Sequence, residues 1–284
     1  MGKFILPFLP IAICDVEVNG VALKLATHLQ DKVHGSIFRG ERALDGRHLA
    51  ELDILQKAIK PGHLVIDAGA NIGSVSITLA KVQPEAVIYC FEPDSVNFCL
   101  LNINILLNGV KNIRAFNYAL GKKQEYIHMY LSNNNYGDHR SIKCNKNDLG
   151  ENLFRLSDTK ALKVNPYDFF KEYLGLKDDS KVIDLIKIDT QGADFEILEA
   201  CIPLLKDDST VTIEYSPYHL EANGTTKEAV ESTLKNFSGI KIIHPLGHRP
   251  SLGDLNVQSV LDFYDAQYQH CHTYFDMVLM KQKS

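Results

Sequence analysis

A chain of 284 residues has room for one large α/β domain, or for one domain with elaborations. Hydrophobic residues make up 45% and charged residues 23%, which is ordinary for a soluble globular protein. The net charge of −5 argues against a dominant contact with a nucleic-acid backbone, because proteins that bind one carry a basic face.

Phe4 to Cys14 is an apolar stretch with Lys3 before it. Pro7 and Pro10 interrupt it, no small-residue cleavage signature follows, and it is far short of the roughly 20 residues that span a bilayer. It reads as a buried lead-in of a cytoplasmic protein with no membrane span. Val16 to Leu25 alternates apolar and polar residues around Asn19-Gly20, a strong hairpin signal. Leu44 to Ile59 has helical apolar spacing and stops at Pro61-Gly62. Residues 1–60 are therefore expected to be a hairpin and helical lead-in packed on a main domain of residues 61–284.

From His63 onward the pattern becomes α/β. Strands are predicted at Leu64–Asp67, Ala86–Glu92, Asn112–Tyr118, Val182–Asp189, Thr210–Tyr215, Ile240–His244 and Tyr274–Met280. Helices fit at Ser74–Lys81, Ser95–Leu107, Asp194–Leu205 and Lys227–Asn236. Apolar strands alternating with amphipathic helices imply a Rossmann-like α/β fold: a mostly parallel sheet of about seven strands, helices on both faces. Pro245 to Asn256 is rich in Pro, Gly and His and reads as irregular. Ser132 to Thr159 is polar, with Asn133-Asn134-Asn135, Gly137, Asp148 and Gly150, and this stretch (residues 132–160) is a candidate substrate lid.

The six cysteines, Cys14, Cys90, Cys99, Cys144, Cys201 and Cys271, have no CxxC spacing and read as reduced thiols. His270, Cys271 and His272 are adjacent, but neighbours on a strand point to opposite faces, so no metal site is expected there.

The chemistry gathers at strand ends. Val65-Ile66-Asp67-Ala68-Gly69-Ala70-Asn71-Ile72-Gly73 runs from a buried strand into a helix. Gly69 and Gly73 allow a tight turn and a close ligand approach, and the helix start favours an anion such as the carboxylate of a methionine moiety. Asp67 is placed to accept hydrogen bonds from the ligand's ammonium group. The spacing is G-x-N-x-G, with Asn71 inside it, and not the G-x-G-x-x-G of a dinucleotide site. Glu92 ends the next strand close to the offset at which an acidic residue holds both ribose hydroxyls. Asn117 and Tyr118 end the third, where an adenine ring would lie. Lys187 and Asp189 close a largely apolar strand, and Glu214 ends its successor before His219. Asp67, Glu92, Asp189 and Glu214 thus converge on the edge where open α/β sheets bind ligands.

These segments together resemble the FkbM family of methyltransferases. The resemblance lies in Asp67 to Gly73, Phe91-Glu92-Pro93, Asn102 to Asn108, Ala119-Leu120-Gly121, and Ile186-Lys187-Ile188-Asp189-Thr190-Gln191-Gly192-Ala193-Asp194. It spans roughly His63 to Glu214, the lead-in from Asp31 also fits, and Asp194 stands where the family usually has Glu. It implies a class I methyltransferase fold, S-adenosylmethionine as donor, and O-methylation of a sugar or secondary metabolite. The small-molecule or glycan acceptor itself is not transferred by resemblance.

An alcohol acceptor has to lose its proton to a positioned base. His139 in the polar loop and His219 after the fifth main strand have suitable unperturbed chemistry, with Asp189 and Glu214 as alternatives. A divalent ion on Asp189 and Glu214 would serve the same end, although no metal is expected. The competing expectations are a nucleic-acid methyltransferase and a non-catalytic binder of the same donor. The first lacks an Asn/Asp-Pro-Pro-aromatic segment at Asp189-Thr190-Gln191-Gly192 and is disfavoured by the acidic charge.

Overall fold

The computed structural model describes residues 10–41, 46–141, 154–246, 249–270 and 273–281. Asn19 and Gly20 both take positive φ, 47° and 78°, the geometry that matches a two-residue turn to twisted strands. Strand β1 (Ile11–Val18) pairs antiparallel with β2 (Val21–His28), so the hairpin runs further at both ends than Val16 to Leu25. Its inner residues Val18, Leu23 and Leu25 belong to the same core as Val65, Ile88 and Leu100. One buried amide ties the pieces together: Asn104 accepts from Ala26 N at 2.6 Å and donates to Ala26 O at 3.2 Å and Ile72 O at 2.8 Å. A short helix α1 (His34–Phe38) and a longer α2 (Gly46–Ala58) complete the lead-in. The apolar run before Pro10 begins outside the described residues.

Five strands form a parallel sheet in the order β5 (Ile113–Phe116), β4 (Val87–Phe91), β3 (Leu64–Ala68), β9 (Ile183–Ile188), β10 (Leu205–Tyr215). Ile66, Leu185, Ile186 and Ile188 are fully enclosed, and each contributes about 2 kcal/mol by leaving water. Helix α3 (Ser74–Val82) follows β3, and α4 (Ser95–Asn108) follows β4. Asp94 caps α4 by accepting from Val96 N and Asn97 N, and Gly109 at φ 64° ends it. The direction of chain progress reverses between β3 and β9, and a crevice opens there at their carboxyl ends.

The sheet continues with β13 (Phe275–Met280), antiparallel to both β10 and β11 (Gly239–Leu246), and ends on β12 (Arg249–Leu255). It therefore has eight strands, not about seven, and is mixed. The extra strand comes from Pro245–Asn256, expected to be irregular. Pro250 sits on the edge strand opposite Pro245, which itself lies beyond the β11–β13 pairing, so neither missing N–H breaks a central ladder.

Two other expectations change. Asn112–Tyr118 is not one strand, because Asn117 turns aside and β6 (Tyr118–Leu120) joins a separate sheet with β7 (Glu125–Ser132) and β8 (Phe154–Val164). That sheet absorbs Phe154 to Thr159 from the expected polar loop; its water-facing side is polar enough to mask the strand in the sequence. The described loop is then Asn133–Ser141, and Cys144, Asp148 and Gly150 lie outside the described residues, as do Cys271 and His272. Helix α6 (Asp194–Cys201) stops short of Leu205 in a 3-10 turn at Ile202–Leu204, where Pro203 has no N–H to continue the ladder. Helices α5 (Pro166–Leu174), α7 (Pro217–Ala222), α8 (Lys227–Leu234) and α9 (Val257–Gln267) complete the chain. Among the described residues no helix is long and apolar enough to cross a membrane.

Candidate active site

A cavity of about 180 Å³ occupies the crevice, more than ten times the space one water requires. Its floor is the turn after β3. Gly69 has φ 80°, and a Cβ there would fall 2.0 Å from Asp189 O, so only glycine lets the ends of β3 and β9 touch. Asn71 also takes a left-handed φ of 50°, its side-chain oxygen accepting from Ile72 N at 2.7 Å. The first turn of α3 carries no acidic residue, and Ser74 and Val75 face the cavity, which leaves the helix start open to an anion. Gly73 does not line the cavity. It caps α3 at φ 87°, and a Cβ there would meet Leu101 Cδ1 at 2.4 Å.

Glu92 lines the cavity with both carboxylate oxygens held: Asn71 N donates to Oε2 at 2.8 Å and Asp94 N to Oε1 at 2.9 Å. One lone pair on each oxygen remains for a ligand. Burial, reinforced by Asp94, pushes its carboxyl up to about 8. Tyr118 lines the cavity, with its ring stacked on Phe116 at 6.2 Å. Asn117 does not reach it; its amide donates to Glu92 O at 2.8 Å and Pro93 O at 3.1 Å, fixing the strand-end turn.

At the other wall stands a buried ionic group. Lys187 Nζ lies 3.5 Å from Asp67 Oδ1 and 3.6 Å from Asp189 Oδ2, and donates to Gly69 O at 3.3 Å. Burial works against the ammonium, but Asp67 and then Asp189 outweigh it and raise its pKa. Asp67 also accepts from the Ser76 hydroxyl, so the carboxylate expected to meet a ligand ammonium already faces a lysine. Burial likewise opposes ionisation of Asp189, yet the Lys187 charge holds its carboxyl below the usual range.

Of the four residues considered for proton removal, Asp189 and His139 reach the cavity. Glu214 lies behind it: Gln191 Nε2 stands between, donating to Asp189 Oδ1 at 3.0 Å and to Glu214 Oε1 at 3.5 Å. Burial, then the Asp189 charge, pushes the Glu214 carboxyl well above its ordinary range. His219 is buried on α7 against the Tyr218 ring and does not line the cavity. Gln191 is held at φ 58°, a strained conformation for a non-glycine residue that places its amide between the two carboxylates.

The roof comes from the polar loop that the sequence singles out and from two lead-in helices whose place it does not reveal. Tyr136, Gly137, His139 and Ser141 of the loop line the cavity, as do His34 of α1 and His48 of α2. Asn71 Nδ2 and Asn97 Nδ2 both donate to Tyr136 O at 2.9 Å, and Lys32 N donates to Asn134 O at 2.9 Å. The Tyr136 ring packs against His28 at 4.6 Å, joining loop to lead-in.

The FkbM methyltransferase domain matches residues 67–238, well over half of the chain. The chain belongs to the FkbM methyltransferase family. "Methyltransferase sdnD" of Sordaria araneosa is 30% identical over 152 residues, covering 48% of this chain and 59% of that protein. "Methyltransferase 1" of Beauveria bassiana (strain ARSEF 2860) is 24% identical over 141 residues, with 47% and 56% covered. "2-O-methyltransferase NoeI" of Sinorhizobium fredii (strain NBRC 101917 / NGR234) is 27% identical over 185 residues, with 63% and 73% covered. The match thus spans little more than half the length of the first two relatives. The methyl donor of FkbM proteins is S-adenosylmethionine, and this cavity fits it. The Gly69 contact leaves no room for a Cβ, Glu92 keeps two acceptor positions for a ribose diol, and the α3 start is free for a carboxylate.

Proposed function

We propose that the chain is a cytoplasmic S-adenosylmethionine-dependent O-methyltransferase acting on a hydroxyl of a sugar or secondary metabolite. One observation carries this reading: a single cavity joins a donor-type floor, at Gly69, Asn71 and Glu92, to a wall of Asp189, His34, His48 and His139. Carboxylate and imidazole groups are hydrogen-bond acceptors suited to an acceptor hydroxyl. The likeness to a protein named as a 2-O-methyltransferase supports oxygen as the target atom. Free thiols at Cys14, Cys90, Cys99 and Cys201 support a reducing compartment.

The donor supplies an electrophilic methyl group, so the protein's own part is to bind, align and manage one proton. Asp67, Gly69, Asn71, Glu92 and Tyr118 are assigned to the donor, with Gly73 holding the turn. Asp189 orients the acceptor beside Lys187. The test is calorimetric titration with S-adenosylmethionine, with NAD as control, followed by assay of S-adenosylhomocysteine release against methyl glycosides and phenols. Micromolar donor binding that Glu92→Ala weakens, with turnover on a hydroxyl acceptor, is the expected result. Well-folded protein that ignores the donor sinks the methyltransferase reading, and turnover only on amine or thiol acceptors sinks the O-methyl part.

A further inference from the structure

Two contacts hold His34 in place, and a third interaction fixes the short helix that carries it. The Phe38 ring meets it edge-on at 5.1 Å, and Gly137 of the roof loop comes so close that a Cβ there would lie 3.2 Å from His34 Cβ and Cγ. Arg39 closes the short helix by donating to His28 O at 2.9 Å and Asp31 O at 2.8 Å. In this setting the ring lines the cavity, and its Nδ1 is buried without a hydrogen-bond partner. A buried, unpartnered nitrogen in a ring that lines the cavity is a standing cost that a hydroxyl-bearing ligand relieves.

His139, the roof histidine among the four candidates for proton removal, is committed differently. Ser132 N donates to its Nδ1 at 3.1 Å, so the neutral ring carries its proton on Nε2 and can only donate from that side. The charged and titratable groups facing His34 are Asp31 before α1, His48 on α2, and Lys187 and Asp189 at the end of β9. Burial pushes the imidazole down to about 4 against the pull of Asp31, which leaves it neutral with a lone pair at pH 7. Beside His34 and His48 a smaller recess opens, walled by Val18, Ile37, Phe38, Leu52 and Val75.

We propose that the acceptor enters on the lead-in side, its apolar edge in this recess and its hydroxyl on His34, and that His34 takes the hydroxyl proton. The acceptor's O–H bond breaks toward the imidazole while an oxygen lone pair forms the new C–O bond. The sulfur–carbon bond of the donor breaks with its electron pair left on sulfur, and the imidazolium later yields its proton to water. This inference rests on the O-methyltransferase reading.

Binding tests the placement without a known acceptor. The probe is the propargyl analogue of S-adenosylmethionine, whose larger transferable group projects into whatever space the acceptor fills. Calorimetry on His34→Ala should give donor affinity within about threefold of wild type and a gain of about tenfold for the analogue. Met129→Ala, a hole cut elsewhere in the same cavity, should give no such selective gain. Equal gains in both variants, or none in His34→Ala, overturn the placement. Failure of wild type to bind the donor strikes the earlier reading instead. On any acceptor that wild type methylates, His34→Gln should keep donor affinity and lose about 100-fold in kcat, and free imidazole should restore part of the rate to His34→Ala. Unchanged kcat in His34→Gln overturns the proton role; it also serves if His34→Ala fails to fold.

Discussion

The floor and the roof of the cavity are built by opposite means. The floor is strand-end backbone in direct contact, Gly69 against Asp189, with a buried lysine held between two carboxylates. The roof is a loop and two lead-in helices, hung on side-chain amides that reach one carbonyl, Tyr136 O. Floor contacts lie inside the shared core and cannot yield without unfolding it, whereas roof contacts can part while the sheet stays intact. Donor binding is therefore expected to depend on global stability, and acceptor access on local opening.

The largest effect that would break this contrast is at Lys187. Lys187→Met strands Asp67 and Asp189 together in a buried setting and should cost about 3–5 kcal/mol in urea unfolding. A loss under about 1 kcal/mol would show that the ionic group is not part of the scaffold. Next comes Gly69→Ala, which forces a Cβ onto Asp189 O at an unfavourable φ; a loss of about 3 kcal/mol, with donor binding abolished, is expected from the same experiment.

Glu92 makes the floor sensitive to pH. Its carboxyl titrates at about 8 in the folded protein and at 4.5 when freely solvated, so the native state binds the extra proton between those limits. Its contribution is fully present below about 4.5 and is lost as pH rises through 8, with a slope of up to about 1.4 kcal/mol per pH unit in the ligand-free protein. Glu92→Gln should flatten that slope, measured as melting temperature from pH 5 to 9. An unaltered slope would assign the titration to another group. The smallest effect belongs to the roof: Asn97→Ala removes one of two donors to Tyr136 O, about 1 kcal/mol. Amide exchange in Asn133–Ser141 should quicken about fivefold while β3 and β9 keep their protection. Quickened exchange in the strands would show that roof and floor open as one.

The floor was legible because its residues obey local rules. A buried apolar strand, two glycines and an acidic residue at the next strand end locate Gly69, Asn71 and Glu92 without any tertiary knowledge. Side chains that depend on which way a strand end faces were not legible. Glu214 and His219 look like cavity residues in sequence, yet one sits behind Gln191 and the other is packed on α7. Asn117 resembles an adenine contact until its amide is seen to satisfy two carbonyls of the Phe-Glu-Pro turn. His34 is not singled out as a site residue, since a five-residue helix has no periodicity to read and its position over the cavity comes from contact with Phe38 and Gly137. β12 is masked in the sequence because Pro250, with Pro245 just before the turn, implies irregularity unless the strand is known to be an edge.

The amide of Asn104 makes the hairpin and the glycine turn one packed unit. The recognisable family match starts at residue 67, but Asn104 bonds Ala26 of the hairpin and Ile72 of the glycine turn from one side chain. A fragment cut at the family boundary would strip β2 from α4 and leave that amide half unmet beneath an uncovered apolar face. The stretch that matches the family is thus shorter than the stretch that shares one core, and the hairpin is a structural wall of the glycine turn.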